Sequence, residues 1–158
     1  MQRQNQAGFS LIELLIVVTI IGIIASIAIP NLLASRRAAN EGSAQQSIRT
    51  ISSCEVAYKF SYGNGSYADL PTLGAKVMTD NVLSSGTKSG YTFVATPVTG
   101  VQAEQFWAYA FPVTTTGIAS TGSRRFAIME DGVLRGDADL TAAPSSQAAV
   151  QAMPPVGN

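Results

Sequence analysis

A carboxylate at the start of a long apolar run is the first chemical signal in this sequence. Glu13 is followed by residues 14–29, which carry no charge. A charged side chain costs ~2.5–3.5 kcal/mol at the centre of a bilayer and less near its edge, so a glutamate one turn into such a helix requires a partner. That partner is either the positive amino end of its own helix together with water, or a cation supplied from elsewhere.

Three further carboxylates lie close together near the end of the chain. Asp131, Asp137 and Asp139 could supply oxygen ligands to Ca²⁺, which prefers several carboxylates. Their spacing fits no EF-hand loop, and aspartate is common in turns because its side chain hydrogen-bonds nearby backbone. We therefore expect no cofactor, with a calcium site as the alternative interpretation.

The chain offers little else for catalysis. It has no histidine, which is the commonest general acid or base near neutral pH. Its single cysteine, Cys54, falls in an apolar stripe and is typical of a small buried side chain. The sequence has no motif for an activated nucleophile. An enzyme is therefore not predicted.

The element that positions Glu13 is long enough to cross a membrane. Residues 9–34 number 26, and at ~1.5 Å rise each they cover the ~30 Å hydrocarbon core. A secretory signal places its cleavage site after a shorter apolar run, whereas the candidate site here, Gly8, precedes the run. Cleavage after Gly8 would remove only a polar octapeptide and leave the apolar helix on the mature chain, which would begin at Phe9.

The order of these features resembles the start of type IV pilins and type II secretion pseudopilins. The resemblance rests on Gly8, Phe9, Glu13, Gly22 and Pro30 in an otherwise apolar run. It implies that a prepilin peptidase cuts between Gly8 and Phe9 and methylates the new amino terminus. It also implies that subunits leave the membrane for a helical filament, where Glu13 of one subunit pairs with Phe9 of the next and sets the axial register.

Gly22 and Pro30 interrupt the apolar run. Proline removes a backbone donor and clashes with the carbonyl group four residues earlier, and glycine weakens a helix by ~1 kcal/mol relative to alanine. We therefore expect a kink or local unwinding at residues 25–30. One interpretation is a simple bend in a membrane helix. The other, which the resemblance favours, is a segment that partly melts in the filament.

The helix is expected to continue past the membrane, from about residue 10 to residue 60. Apolar residues recur at spacings of three or four in its second half, which predicts one buried stripe. This stripe comprises Ala44, Ile48, Ile51, Cys54 and Tyr58. The opposite, polar face comprises Arg36, Arg37, Glu41, Gln45, Arg49 and Lys59. A Gly- and Asn-rich turn signal at residues 62–66 is expected to end the helix.

Short strands follow, which predicts an α+β fold with the amphipathic half-helix packed on a small antiparallel sheet, pilin-like by resemblance. The strands are expected at residues 91–96, 106–113, 125–130 and 133–135, after one helical turn near residues 69–73. Asp131-Gly132 predicts a two-residue hairpin. The expected divisions are a leader at 1–8, an apolar helix at 9–34, an amphipathic half at 35–62, a loop and sheet domain at 63–140 and an irregular tail at 141–158.

The resemblance and the composition together predict a structural subunit, chiefly the major pilin of a type IV pilus. Its expected partners are copies of itself, the prepilin peptidase, the inner-membrane assembly machinery, and the membrane before assembly. Ten basic and ten acidic residues cancel, so no specific nucleic acid is predicted. The precursor is expected in the inner membrane and the product in an extracellular filament. The alternatives are a type II secretion pseudopilin and a membrane-tethered binding module that does not polymerise.

Overall fold

The structure, a computed structural model, describes residues 8–98 and 105–157. The predicted leader therefore lies outside the described residues, apart from Gly8. The chain divides into two compact units, Met1–Ser35 and Arg36–Asn158. The first contains the apolar start of a helix, and the second contains the rest of that helix together with a sheet.

Helix α1 (Leu11–Ser61) contributes residues to both units, which confirms the predicted helix that continues past the apolar run. The helix is also continuous through Pro30, so the predicted local unwinding at residues 25–30 is not present in this structure. Proline removes the hydrogen bond that its own N–H would donate and crowds the carbonyl group four residues earlier, but the turns on either side can keep their hydrogen bonds. Melting in a filament stays a prediction.

One face of α1 is buried within the second unit. Ala44, Ile48 and Ile51 have no exposed surface, as the predicted stripe requires. Cys54 and Tyr58 are only partly buried and pack against the same cluster. The fully buried residue of this turn is Glu55, a charged residue that the apolar stripe does not include.

Two residues expected on the opposite, polar face of α1 bind the loop of residues 117–123. The Arg37 guanidinium donates to the Ser120 carbonyl oxygen at 3.3 Å. The Glu41 carboxylate accepts hydrogen bonds from the Ser123 backbone N–H and hydroxyl at 2.8 and 2.7 Å. The polar face of this half-helix therefore anchors a loop as well as facing solvent.

Helix α1 ends where the turn signal predicts. The Gly63 N–H donates to the Tyr58 carbonyl oxygen at 2.8 Å, and Asn64 and Gly65 adopt positive φ angles of 47° and 94°. A Cβ atom at Gly63 would collide with the Ser66 carbonyl oxygen. Glycine is therefore required where the chain turns out of the helix.

Two short helices and a short strand follow α1. Helix α2 (Leu70–Lys76) contains the predicted helical turn, whereas α3 (Asn81–Ser84) and β1 (Thr87–Lys88) have no counterpart in the sequence-based prediction. The side chains of Asp69 and Asp80 each accept backbone N–H groups from the first turn of α2 and α3, respectively. These caps satisfy donors that the start of a helix leaves unpaired.

Within the described residues, the sheet has five antiparallel strands in chain order. Its other strands are β2 (Tyr91–Pro97), β3 (Phe106–Pro112), β4 (Arg125–Met129) and β5 (Arg135–Asp137). Alternate residues of β2 and β3 are buried, because successive side chains of a strand point to opposite faces of the sheet. The core joins one face of this sheet to the buried face of α1, as the predicted α+β fold requires.

The predicted two-residue hairpin at Asp131-Gly132 is wrong. Residues 130–134 connect β4 to β5, and only Gly132 has a positive φ angle, whereas the predicted turn needs one at Asp131 as well. The Asp131 carboxylate instead accepts hydrogen bonds from the Val133 N–H and the Arg135 guanidinium. These bonds hold a wider loop, so β5 begins two residues later than the predicted strand.

The predicted irregular tail is wrong in part. Helix α4 (Gln147–Gln151) begins after Ser146, whose hydroxyl accepts the Ala149 N–H at 3.2 Å. A second buried cluster joins this helix to the sheet and comprises Ala127, Met129, Val150 and Met153. Burial of Val150 and Met153 stabilises a segment whose composition shows no clear periodicity.

Candidate functional site

The amino-terminal part of α1 carries the predicted site residues, and Glu13 closes its first turn. The Glu13 Oε2 atom accepts the backbone N–H of Ser10 at 2.8 Å. Ser10 immediately precedes the helix, so this bond is half of a capping box. The Ser-x-x-Glu spacing of residues 10–13 carries the signal for this cap, which the interpretation of Glu13 as an isolated carboxylate overlooks.

The Glu13 carboxylate is exposed although it caps its own helix. The positive end of a helix stabilises such a charge by ~0.3–1 kcal/mol. A carboxylate can accept several hydrogen bonds, so the bond from Ser10 leaves room for a further donor. The geometry therefore presents an oriented anion at the start of an apolar helix.

Gly8 and Phe9 lie before α1 in exposed, non-helical backbone. The side chain of Phe9 is 90% exposed. A Cβ atom at Gly8 would meet nothing within 4 Å, so no described neighbour excludes a larger residue there. Exposed irregular backbone is the usual substrate of a peptidase, and a need for glycine would come from the enzyme.

Apolar side chains project on every side from the part of α1 that lies in the first unit. Its most apolar window of 18 residues has a mean hydropathy of 2.8, and no residue of that window is buried. Leu11, Ile16, Ile23 and Ile27 are 53–82% exposed. A helix that is apolar all round is normally covered by lipid or by other helices. This apolar surface needs a partner outside the unit.

Gly22 and Pro30 both lie inside the continuous helix. A Cβ atom at Gly22 would meet nothing within 4 Å, so packing among the described residues does not require glycine there. The hydroxyl groups of Thr19 and Ser26 donate to backbone carbonyl oxygens in the preceding turn, at 2.8 and 2.7 Å. Such bonds compete with the helical N–H donors, which adds to the weakening from glycine and proline.

The three aspartates of the candidate calcium site bind arginines. Asp131 pairs with Arg135 at 2.6 Å, and Asp137 and Asp139 both pair with Arg125, at 2.7 and 3.2 Å. The hydrogen bond from Arg135 lowers the pKa of the Asp131 carboxyl group. Within the part of the chain that the structure describes, no three acidic, His or Cys side chains are grouped to hold a metal ion. This geometry favours the interpretation as turn aspartates.

Cys54 and Glu55 show how burial changes the chemistry of neighbouring residues. Burial raises the pKa of the Cys54 thiol, so the reactive thiolate is disfavoured. Burial also raises the pKa of the Glu55 carboxyl group, to about 7. Sequence reasoning misses Glu55, although its position four residues after the buried Ile51 is the available signal.

Comparison with known proteins gives a match to a family model at the amino-terminal end and a match to a relative over most of the chain. Residues 3–29 match a family described as the prokaryotic N-terminal methylation motif. The chain is also 35% identical over 131 residues to the type IV wide pilus major component PilA4 of Thermus thermophilus. That alignment covers 77% of this chain and 95% of PilA4, so it extends beyond the apolar helix into the second unit.

A second group of relatives matches over a shorter length. The type II secretion system core protein G of Aeromonas hydrophila is 36% identical over 59 residues, and that of Vibrio cholerae is 38% identical over 58 residues. Each alignment covers 37% of this chain and 41% or 40% of the relative, so the chain spans less than half of these proteins. No solved structure gives a significant match.

Proposed function

The chain belongs to the type IV pilin family, and from this premise we propose that it is the major structural subunit of a type IV pilus. The observation that carries the proposal is the apolar start of α1, with a hydropathy typical of a membrane span and no buried residue. In a filament, copies of this helix cover one another. Because the contact between successive subunits does not close on itself, it generates an open helical fibre.

The proposed contact between successive subunits includes Glu13 and the amino group of Phe9. Removal of the leader creates this amino group, and both charges lie in the filament core after assembly. Loss of one partner of a buried ion pair costs ~3–5 kcal/mol. The exposed Glu13 carboxylate, which has capacity for further donors, supports this role. Such a pair would also fix the axial register of the subunits.

Processing at the Gly8–Phe9 bond converts an inner-membrane precursor into the mature subunit. In this proposal a prepilin peptidase removes residues 1–8 and methylates Phe9, and an assembly machinery moves the subunit into an extracellular filament. The match to the N-terminal methylation motif and the exposed, non-helical backbone at the bond support this order of events. No catalytic role is assigned to the chain, since its named relatives are a pilus component and secretion-system core proteins.

The segment from Gly22 to Pro30 is proposed to loosen during assembly. It combines a glycine with open space around it and a proline that donates no hydrogen bond. Loosening would let neighbouring helices approach closely at Gly22 and would let the fibre lengthen under load. The continuous helix of the isolated chain is the starting state of this change.

A type II secretion pseudopilin is the second candidate, and the matches to core protein G favour it. Those matches cover 37% of the chain, whereas the match to PilA4 covers 77%. The second unit is therefore better accounted for by the pilus subunit. A pseudopilin would use the same amino-terminal helix in a shorter filament.

The first test is electron microscopy of filaments sheared from cells that produce the chain, with mass spectrometry of the main filament protein. We expect abundant fibres built from a chain that begins at methylated Phe9. Gly8→Leu should leave the precursor uncleaved and in the membrane, whereas Gly157→Leu, at another glycine with open space, should leave cleavage unchanged. Fibres that lack the chain, with a processed form retained in the membrane, would favour the pseudopilin.

A further inference from the structure

Glu55 is a carboxylate buried inside the second unit. Its side chain has no exposed surface. It lies on α1 four residues after Ile51, which belongs to the apolar core. Charged residues are almost never fully buried unless they are paired, so this position needs a physical explanation.

The two oxygens of Glu55 have different surroundings. Oε2 accepts the backbone N–H of Ala68 at 3.0 Å. Oε1 is buried and has no hydrogen-bond partner among the described residues. Ala68 is itself buried and immediately precedes Asp69, the residue that caps α2. Glu55 thus ties α1 to the end of the loop of residues 62–69.

Among the described residues, the charged group on the loop that acts on Glu55 is another carboxylate, Asp69. The Asp69 carboxylate lies on the same loop and raises the pKa of Glu55, and the Cys54 thiol is the adjacent titratable group on α1. Lys59, one turn further along α1, places its ammonium 4.6 Å from the centroid of the Tyr67 ring. Within the described part of the chain, an ionised Glu55 would keep its buried Oε1 unpaired and would be repelled by the Asp69 carboxylate.

We propose that Glu55 is a proton-controlled latch between α1 and the loop of residues 62–69. With the carboxyl group protonated, the loop closes over α1 and Ala68 remains bonded to Oε2. Ionisation makes the same burial unfavourable, because a charged oxygen without a partner requires water. The loop then lifts from α1 until water reaches Oε1. This inference rests on the fold of the second unit and not on the proposed pilus function.

The direction of the pH effect follows from the burial of the group. Burial raises the pKa of Glu55 from 4.5 to about 7, although the bond from Ala68 opposes the shift. The folded chain therefore binds the proton more tightly than the unfolded chain. The stabilisation is complete below the unfolded pKa and is lost as the pH rises through about 7. Between pH 4.5 and about 7, the equilibrium constant for unfolding rises by up to ~tenfold per pH unit.

The test uses the full chain in detergent micelles and measures hydrogen exchange at the Ala68 amide, corrected for intrinsic exchange, between pH 5 and pH 8. We expect protection of Ala68 to fall by roughly tenfold or more as the pH rises. Glu55→Gln removes the charge and keeps the acceptor for Ala68, so its protection should not change with pH. Glu130→Gln, at an exposed glutamate, should behave as the unmodified chain. Parallel profiles for all three proteins would overturn the latch.

A second measurement on the unmodified chain decides the question even where Glu55→Gln fails to fold. The side-chain carboxyl carbon of Glu55 is titrated by ¹³C NMR in the same micelles. A midpoint near 7, accompanied by the loss of Ala68 protection, supports the latch. A midpoint near the ordinary value of 4.5, or a midpoint near 7 with no change at Ala68, overturns it.

Discussion

The two units of the chain share one helix, but its two parts have opposite surroundings. In the first unit, Leu11, Ile16 and Ile27 are more than half exposed, whereas in the second unit Ile48 and Ile51 have no exposed surface. The chain is therefore helical on both sides of Ser35, but the contacts that stabilise the helix differ between the two units. The second part is stabilised by a sheet of its own chain, and the first requires molecules outside it.

This difference separates two kinds of mutational effect. A substitution in the first unit should change assembly and leave unfolding of the second unit unchanged. A substitution in the core of the second unit should change unfolding directly and assembly only through the amount of folded subunit. A substitution that violates this separation would show that the two units depend on each other.

The largest effect is expected from Glu13→Gln. In the proposed filament, loss of the carboxylate leaves the Phe9 amino group unpaired in the core, at a cost of ~3–5 kcal/mol for each subunit contact. Electron microscopy should find no filaments, while the unfolding midpoint of the second unit stays unchanged. Glu130→Gln is the matched control, because Glu130 is exposed in the other unit. Normal filaments from Glu13→Gln would contradict the proposed register contact.

A large effect on stability, without direct involvement in assembly, is expected from Phe106→Ala. Phe106 is fully buried, and its ring centroid lies 4.7 Å from that of Tyr67. Removal of a buried phenyl ring should lower the free energy of unfolding by ~3–5 kcal/mol. Urea unfolding of the full chain in micelles, followed by fluorescence of Trp107, measures this change. Phe60→Ala, at a side chain that is 82% exposed, should shift it by less than ~0.5 kcal/mol.

A smaller effect is expected from Arg125→Met. Arg125 binds Asp137 at 2.7 Å and Asp139 at 3.2 Å, and it also donates to the Ala142 carbonyl oxygen at 2.6 Å. Loss of these bonds should lower the free energy of unfolding by ~1–3 kcal/mol and loosen the tail. Urea unfolding measures the change in stability, and limited proteolysis measures how much more readily the tail is cleaved. If Arg124→Met, which removes a side chain over the Phe126 ring, destabilises equally, the bonds of Arg125 are not the cause.

The smallest effect is expected from Gly22→Ala. Alanine favours the helix by ~1 kcal/mol, and a Cβ atom at this position meets nothing within 4 Å in the isolated chain. The free energy of unfolding of the second unit should therefore be unchanged. Close packing of helices in the filament should weaken by about 1 kcal/mol, which lowers the equilibrium constant for subunit addition roughly fivefold. Gly42→Ala, at another open helical position, is the control. Equal filament yields from the two variants would argue against close approach at Gly22.

The sequence predicts α1 and the central strands because their apolar spacing is strong and regular. Residues of β2 and β3 alternate between buried and partly exposed positions, as a strand with one covered face requires. The hairpin after β4 is not predicted correctly, because its geometry depends on the bond between Asp131 and Arg135. Nothing in an Asp-Gly pair indicates that the aspartate will bind an arginine four residues later.

The sequence suggests residues for the candidate site, and the structure adds local contacts that the sequence does not predict. Glu13 is visible as a charge next to an apolar run, but the bond from Ser10 depends on where the helix begins, and helix ends are the least certain part of such a prediction. Helix α4 has a serine cap, but only the burial of Val150 shows that the helix is stable. Glu55 is not predicted, because core positions are identified by apolar residues and Glu55 is a charged residue that is fully buried.

In the proposed filament, the bond between Ser10 and Glu13 also affects the addition of each subunit. It restricts the rotamers of the Glu13 side chain before a second subunit arrives. A glutamate side chain otherwise loses up to ~1.5–2 kcal/mol of conformational entropy when it is fixed at an interface. A subunit whose carboxylate is already oriented loses less of this entropy on docking. For the proposed contact between Glu13 and Phe9, the cap at the start of α1 therefore preorganises the monomer.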